Sequence, residues 1–424
     1  MRITRPISYV ARGSAAFLIV LAVHFHCSGT PTLRARGGTP PAGVSWLLRT
    51  VHVGSNPVAV VIAGRSGHIF VVNRGPVGRD YQLHGRGSVS VLDATTEHLL
   101  HTVAVDWDPV AAVSDARTGR VFVLSRGMPT TARLHGSVSV LDGTTGRVVR
   151  TVAVGVVGAA PVAAPAVEVR TGNVFVPSSS GAVSLLDGTT GRVVRMVTVG
   201  GSPRAAAIDA RTRRVFVANA NGSGGVPNAS GSVNVLDAAT GTLRATVPLD
   251  ASADAVAVDT QANRAFVDVE GEGGGPGSLN VLNATTATVL RSGVGVGVGG
   301  TSLAVDARDH RLVAVSSQGT TVSVLDTRSG SLIRDSVLVA GATTAVDVAI
   351  DESRSRAVVV SAAYMGLNYE ATTVYVLDIR SGRALRHFRL GTGPPALAVD
   401  TQRGRIFVVN GSDNSVSVLN ATRL

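Results

Sequence analysis

A phrase of six residues recurs along the whole chain and constrains its fold more than any other feature. Ser-Val-Ser-Val-Leu-Asp ends at Asp93 and again at Asp142, and variants of it recur as far as Asn420. Three further Val-rich phrases accompany each copy, and turn residues such as those at 142–146 separate them. Four short strands in each unit of about 40–50 residues are typical of one blade of a β-propeller. The sequence therefore predicts an all-β protein, since helical periodicity is absent.

Counting the phrases predicts how the ring closes. If the strands of a unit are named A, B, C and D in chain order, eight A-B-C sets are present but only seven D strands follow them. The sets span 57–93, 109–142, 164–187, 203–237, 254–283, 301–326, 345–378 and 395–420. The segment 48–54 supplies the missing D strand, which would leave no sheet edge open at the closure. We predict a single β-propeller of eight four-stranded blades, closed by the N-terminal strand. Seven blades are the alternative, because the 164–187 set has short loops and contains Pro177.

The phrases also predict what packs in the interior. Strand A alternates Ala and Val, as at 255–258, and small residues suit strands that crowd around a central channel. Aromatic residues make up only 4% of the chain, so a Phe that recurs in strand B should carry much of the packing between blades. These residues are Phe70, Phe122, Phe175, Phe216, Phe266 and Phe407.

The amino terminus differs from the repeats. Arg2, Arg5 and Arg12 precede an apolar run at 15–23. This run is too short for a comfortable membrane span but is typical of a secretory signal peptide. An uncleaved anchor, or a lipid attached to Cys27, are the alternatives for this segment.

These features divide the chain into three parts. We assign residues 1–29 to a signal peptide or N-terminal anchor, 30–46 to a flexible spacer rich in Pro, Gly and Arg, and 47–424 to the propeller. No further transmembrane domain is expected. The protein should therefore be secreted, periplasmic or held at the cell surface.

Composition narrows the classes of function. All 39 basic residues are arginine, and 28 acids leave a formal net charge of +11. A hydrophobic share of 45% with 16% charged residues excludes a disordered chain. The single cysteine excludes an internal disulfide and a Cys-based zinc cluster. Five arginines and no acid precede residue 44, so the propeller itself carries only +6.

Two motifs resemble those of a known family. Strand B ends in Phe-Val-Val-Asn at Asn73 and Asn410 and in Phe-Val-Ala-Asn at Asn219. A Val-Gly-x-x-Pro link precedes strand A at 53–57 and 199–203. The repeat is similar to that of the YVTN, or YncE-like, β-propellers over roughly residues 47–424, with Phe in place of Tyr and an eighth blade as departures. The resemblance implies an exported or surface propeller. Members of that family have been associated with surface layers, adhesion and, in one branch, DNA, and the motif itself implies no catalytic residue.

The two faces of such a ring differ. The A–B and C–D turns form one face, hereafter the turn face, and they repeat with little change. The B–C loops and D–A links form the other, the loop face, where the B–C loops are long in blades 1, 2, 4, 5 and 7. Irregular loops on a rigid scaffold often carry binding sites. We therefore predict a ligand-binding site on the loop face, built from Arg74, Arg79, Tyr81, His84, Arg126, His135 and Tyr364, with Glu270, Glu272 and Glu370 adding acids.

His84 and His135 end the first two long loops alike, in Leu-His-Gly. Duplication of a neighbouring blade, with each His capping its loop, explains this pair better than metal binding, because two histidines without a demonstrated third ligand are a weak signal. We therefore predict no metal and no cofactor.

The function predicted on these grounds is a non-catalytic binding or scaffold module for a protein, glycan or surface polymer. A propeller hydrolase or lactonase is the first alternative, but the chain contains neither an Asp-box repeat nor a Gly-x-Ser-x-Gly elbow. The acids that end the A strands would also lie on the turn face. A monomer is expected.

Weak binding of a polyanion such as DNA by the turn face is the second alternative. The planar guanidinium suits phosphate, although stacking aromatics, which normally accompany single-strand binding, are few. The arginines in this prediction are Arg147, Arg150, Arg192, Arg195, Arg211, Arg213, Arg214, Arg383, Arg386 and Arg389.

Overall fold

The structure, a computed structural model, describes most of the chain from Trp46 to Leu424. The described ranges are 46–64, 66–78, 83–128, 135–157, 165–220, 231–271, 276–298, 301–316, 321–337, 343–365, 368–393 and 396–424. Within them the chain forms thirty-two β-strands, and the only helical segment is a single 3-10 turn, Ala421–Arg423.

The strands form eight antiparallel sheets of four, which are the blades of a β-propeller ring. Inside each blade the strands lie in the order A-B-C-D. From blade 1 to blade 8 the A strands are β2 (Pro57–Ala63), β6 (Pro109–Asp115), β10 (Ala166–Val167), β14 (Ser202–Asp209), β18 (Ala253–Asp259), β22 (Thr301–Asp306), β26 (Thr343–Asp351) and β30 (Leu397–Asp400). The B strands are β3 (His68–Asn73), β7 (Arg120–Ser125), β11 (Val174–Ser178), β15 (Arg214–Ala220), β19 (Arg264–Val269), β23 (Arg311–Ser316), β27 (Arg356–Met365) and β31 (Arg405–Asn410).

The two outer positions complete each blade. The C strands are β4 (Ser88–Asp93), β8 (Ser137–Asp142), β12 (Ala182–Leu186), β16 (Ser232–Asp237), β20 (Pro276–Asn283), β24 (Thr321–Asp326), β28 (Asn368–Asp378) and β32 (Ser415–Asn420). The D strands are β5 (Leu99–Ala104), β9 (Val148–Ala153), β13 (Val193–Thr198), β17 (Leu243–Pro248), β21 (Val289–Val298), β25 (Ser331–Val337), β29 (Arg383–Thr392) and β1 (Leu47–His52).

The N-terminal strand closes the ring, as the sequence predicts. Strand β1 pairs antiparallel with β32, with Thr50 opposite Ser417, so blade 8 has the order β1-β32-β31-β30. The prediction of eight blades is confirmed, and the alternative of seven is wrong. The 164–187 set, on which the alternative of seven blades rested, forms a full four-stranded blade, although its A strand is only two residues long. Pro177 is tolerated because β10 pairs with Phe175 and Val174 alone and does not extend to the proline.

The hydrophobic core lies between the blades rather than inside any one of them. Where its side chains are described, each B strand is buried along nearly its whole length, and the six recurrent Phe side chains are fully buried. In one cluster, Phe122 and Leu124 of blade 2 pack against Val174 and Val176 of blade 3. A ring of such contacts holds each blade by its neighbours, and this arrangement explains why few aromatic residues suffice.

The two family-like motifs contact each other in the structure. The side-chain amide of Asn73 donates to Ser88 Oγ and Ser90 Oγ, both at 3.1 Å, and Asn410 makes the equivalent pair of bonds in blade 8. Gly54, in the D–A link, lies against this amide, where a Cβ atom would be 2.6 Å from Asn73 Nδ2. The motifs therefore fix the loop-face end of strand B to strand C and to the preceding link.

Candidate ligand-binding face

The long B–C loops of the loop face start from an ordered base. Arg74 N donates to Asn56 O at 2.9 Å, and Arg126 N donates to Asp108 O at 3.0 Å. In both blades the first residues of the B–C loop are thus hydrogen-bonded to the D–A link that precedes the same blade. Because main-chain bonds hold the base of each loop, its starting direction is set by the sheet.

Asp108 joins the first two of these loops. Its carboxylate accepts from Arg74 Nε at 2.6 Å and from Arg126 Nη1 at 3.2 Å. Arg74 belongs to blade 1 and Arg126 to blade 2, whereas Asp108 lies in the link between them. The Asp108 side chain is 12% exposed, so most of its charge is balanced by the two guanidinium groups. We refer to Arg74, Asp108 and Arg126 as the clamp.

The seven predicted site residues fall into three groups. The structure brings Arg74 and Arg126 together, but through Asp108. His84 and His135 are exposed on the loop face at the ends of their loops. Arg79 and Tyr81 lie outside the described residues, and for Tyr364 only the strand backbone is described, opposite Tyr369. The predicted site as a whole therefore stays a prediction.

Sequence reasoning missed Asp108, although a signal was present. Asp108 precedes Pro109 just as Asn56 precedes Pro57, and both residues have positive φ, 50° and 56°. Asp and Asn tolerate this left-handed region better than most residues. The signal is weak because the family motif fixes Val, Gly and Pro in the D–A link and leaves the residue before Pro variable.

A second polar group lies beside blades 4 and 5. Arg204 Nε lies 3.7 Å from Asp254 Oδ1, and Glu270 follows the adjacent B strand. Burial raises the pKa of Asp254, with Arg204 opposing the shift. Burial and the nearby charge of Asp254 raise the pKa of Glu270. A buried acid beside a second acid whose pKa it raises suits a cationic or hydrogen-bond-donating ligand group.

Asp347 lies at the loop-face end of strand A of blade 7. Among the described residues, five other blades have Ala and one has Ser at the equivalent place. Asp347 accepts from Ser302 Oγ of blade 6 at 3.3 Å and from Leu397 N of blade 8 at 3.1 Å. Burial raises its pKa to about 6, against the hydrogen bonds from Leu397 N and Val348 N. Asp254 and Asp347 are therefore acids near the loop-face ends of their A strands, in addition to the acids that end these strands at the turn face.

A cavity opens beside the A strands of blades 8, 1, 2 and 3. The cavity has a volume of about 390 Å³ and is lined by A-strand residues, among them Val61, Val113 and Val399. Ser114 Oγ also lines it but already donates to Ile62 O at 2.9 Å. Apart from Ser114, the side chains that line the cavity are Ala, Val and Ile, as the pattern of strand A predicts.

The turn face has a regular hydrogen-bond pattern. Asp142 Oδ1 accepts from Thr144 N and Thr145 N at 3.0 and 2.8 Å, and the equivalent Asp or Asn caps its turn in the other blades. These backbone hydrogen bonds, led by the one from Thr145 N, lower the pKa of Asp142. The acids of this face are therefore occupied in holding turns rather than in a ligand site.

Several turn-face arginines connect neighbouring blades. Arg195 donates to Thr240 O at 3.5 Å and Arg211 to Thr260 O at 3.3 Å, each in the next blade. Arg334 donates to Ser381 O at 3.1 Å in the same way. Arg389 is misplaced in the sequence prediction, because it pairs with Thr373 toward the loop-face end of β29. The polyanion prediction thus includes residues that also hold the ring together.

Charge is distributed unequally between the two faces. The described acids of the loop face are Asp106, Asp108, Asp250, Asp254, Asp268, Glu270, Asp347 and Asp413. Its described arginines are Arg74, Arg86, Arg126, Arg204 and Arg389. The other described arginines lie in the turns or in the strand halves next to them, where they outnumber the acids. Among the described residues, the loop face is therefore acidic and the turn face basic.

Within the described ranges, no three His, Cys, Asp or Glu side chains come together in a way that could hold a metal ion. The same part of the chain contains no helix long and apolar enough to cross a membrane.

Comparison with known proteins shows the fold alone. No family model and no curated protein matches the chain. Among solved structures, the computationally designed Ika8 protein matches with a TM-score of 0.61 and 18% identity, over 89% of this chain and 100% of that one. BamB from Moraxella catarrhalis gives 0.54 and 14%, over 88% and 99%. The C-terminal WD40 domain of Sif2 gives 0.61 and 11%, over 89% and 99%. The chain is a β-propeller.

Proposed function

We propose that this protein is an exported, non-catalytic binding module whose loop face docks a protein, glycan or surface polymer. The clamp carries the proposal. In the clamp, the first residues of two long loops from different blades bind one carboxylate, so both loops start from a fixed position. Preorganised loops on a rigid ring lose little entropy on binding.

The charge of the loop face indicates which chemical classes of partner it could bind. Its described acids outnumber its arginines, and the Asp254 and Glu270 pair is poorly compensated. A partner with basic side chains or with many hydroxyl groups complements such a surface. The predicted leader and the resemblance to surface propellers of the YVTN type support a partner outside the cytoplasm.

Site-specific crosslinking tests which face binds. A photoreactive residue replaces Arg86, which is exposed on the loop face, or Thr144, which is exposed on a C–D turn. With envelope proteins and surface polysaccharide of the source cell, we expect a discrete adduct from position 86 alone. The same adduct from position 144, or none from position 86 and its loop-face neighbours, contradicts the proposal.

A further inference from the structure

Every outer strand of the ring carries a β-bulge at the same place. In blade 2, Val140 pairs with Arg150 and Leu141 pairs with Val148, so Val149 has no partner across the ladder. The same register shift recurs in the other seven blades. From blade 1 to blade 8 the bulged residues are Leu100, Val149, Val194, Arg244, Leu290, Ile333, Leu385 and Leu48.

Seven of these eight residues are exposed aliphatic side chains. Their exposed fractions run from 39% for Leu48 to 62% for Val194. Exposed paired neighbours such as Leu99 and Leu332 widen the apolar surface. We call the seven bulged aliphatic residues the outer belt. It encircles the ring near the turn face, because each bulge lies within the first few residues after a C–D turn or, in blade 8, at the equivalent place.

Edge protection alone does not explain the belt. A bulge already twists an edge strand away from further pairing. A charged residue at the bulge serves this purpose without exposing apolar surface, as Arg244 shows in blade 4, where its side chain pairs with Asp237. An aliphatic residue repeated in seven blades adds exposed apolar area, which usually marks a contact surface.

The charges beside the belt define what it could contact. The residue after the bulge is arginine in six blades and His101 in blade 1. Among the eight outer strands, whose backbones the structure describes throughout, Asp335 is the only acid. An apolar stripe flanked by arginine on nearly every blade is complementary to an anionic surface with an apolar interior.

We propose that the outer belt docks the ring, turn face down, on a lipid bilayer with anionic headgroups. Contacts repeated around the whole ring need an occupant at least as wide as the ring. A bilayer meets this requirement, whereas a single protein partner would cover only a few neighbouring blades. A second copy stacked through the turn face would bring two basic surfaces together. Each aliphatic contact is weak, and their number supplies the affinity.

Vesicle flotation tests this proposal directly. The eight blades are complete within residues 46–424, so a chain that starts at residue 44 keeps every described strand and omits the apolar segment at 15–23. It is mixed with phosphatidylcholine vesicles that contain either no phosphatidylglycerol or about one-third of it, at low and high salt. We expect binding to the anionic vesicles only, and weaker binding as salt rises.

The decisive variant combines Leu100→Ser, Val149→Ser and Val194→Ser in three adjacent blades. It should lower the partition coefficient on anionic vesicles about tenfold or more, since each aliphatic side chain contributes a few-fold. The matched control combines Val77→Ser and Met128→Ser, which removes similarly exposed apolar side chains from the loop face. The control should bind vesicles like the unchanged ring, and both variants should unfold at its temperature.

Three results overturn the proposal. One is that no binding occurs at low salt. Another is that the triple variant binds anionic vesicles as well as the control, which would make the contact purely electrostatic and shared with DNA or heparin. The third is that the unchanged ring self-associates and the triple variant does not, with vesicle binding the same in both. That outcome would assign the belt to a second copy of this chain.

Discussion

At the scale of single residues, loss of the Asp108 carboxylate should destabilise the protein. Asp108→Asn keeps the shape and tolerates the positive φ, but it leaves two partly buried guanidinium groups without their carboxylate. We expect the free energy of unfolding to fall by about 1–3 kcal/mol, less than for a fully buried pair because Arg74 is one-third exposed. Urea unfolding measures this loss.

A matched control separates the clamp from an ordinary surface ion pair. Arg244→Gln breaks the ion pair with Asp237, in which the Arg244 side chain is 54% exposed. Such exposed ion pairs contribute about 0–1 kcal/mol to the free energy of unfolding. Equal losses in the two variants would mean that the clamp adds nothing beyond a surface contact.

Asp347 should make stability depend on pH. Its pKa in the folded state is about 6, above the ordinary value of 3.8, so the folded state holds the proton more tightly than the unfolded state. The contribution of Asp347 to stability is therefore most favourable below about pH 4, is lost as pH rises to about 6, and is level above that. At its limit the change is about 3 kcal/mol.

Comparison with Asp347→Asn isolates this effect, because the amide carries no charge at any pH. The difference in unfolding free energy, unchanged protein minus variant, should fall between about pH 4 and 6. A difference that is flat across this range would show that Asp347 ionises as freely in the folded protein as in the unfolded chain.

At the scale of strands and links, Gly54 shows why two sequence motifs occur together. A Cβ at Gly54 would lie 2.6 Å from Asn73 Nδ2 and 2.8 Å from Ser88 Oγ. Gly54→Ala should therefore cost about 1–3 kcal/mol through overpacking. Gly64→Ala is the control, since no atom lies within 4 Å of its Cβ position. Combining Gly54→Ala with Asn73→Ala should cost less than the sum of the two single changes. Thermal unfolding of the unchanged protein, both single variants, the double variant and the Gly64→Ala control tests this.

The strands were predictable because each one repeats eight times with its own turn chemistry. Val-rich alternation bounded by Asp and Gly gives strands and turns directly, so the strand order and the closure by β1 follow from the sequence. Blade 3 shows the limit, because its A strand shortens to Ala166–Val167 where the repeat weakens. The bulges were not predicted, since a Val-Val-Arg run looks regular until its register against strand C is known.

The candidate site was predictable only in part, for a related reason. Asp108, Arg74 and Arg126 come from three segments that are separated along the chain and meet only in the ring. Repeats identify what the blades share, whereas a site depends on where they differ. The variable link residue before Pro109 and the single Asp at 347 are such differences.

At the scale of the whole molecule, the ring separates its charge. The acidic loop face and the basic turn face lie at opposite ends of the same strands. The net charge of the whole chain therefore does not describe the charge of either face. A loop-face ligand and an anionic surface could therefore be bound at once, without competing for the same side chains. This separation accounts for an excess of arginine in a protein whose proposed binding face is acidic.

Closure of the ring should control its cooperativity. Strand β1 pairs with β32, and Val51 packs in the same cluster as Ile69 of blade 1 and Phe407 of blade 8. Removing residues 1–53 deletes β1 and exposes the edge of β32, so we expect a markedly lower unfolding temperature and association through the free edge. Removing residues 1–43 leaves β1 in place and should change neither property. If strand pairing is the cause, adding a peptide that spans 44–54 should return the chain without residues 1–53 to a monomer. Size-exclusion chromatography and thermal unfolding distinguish these outcomes. An equally stable monomer without β1 would mean that the inter-blade cores hold the ring closed by themselves.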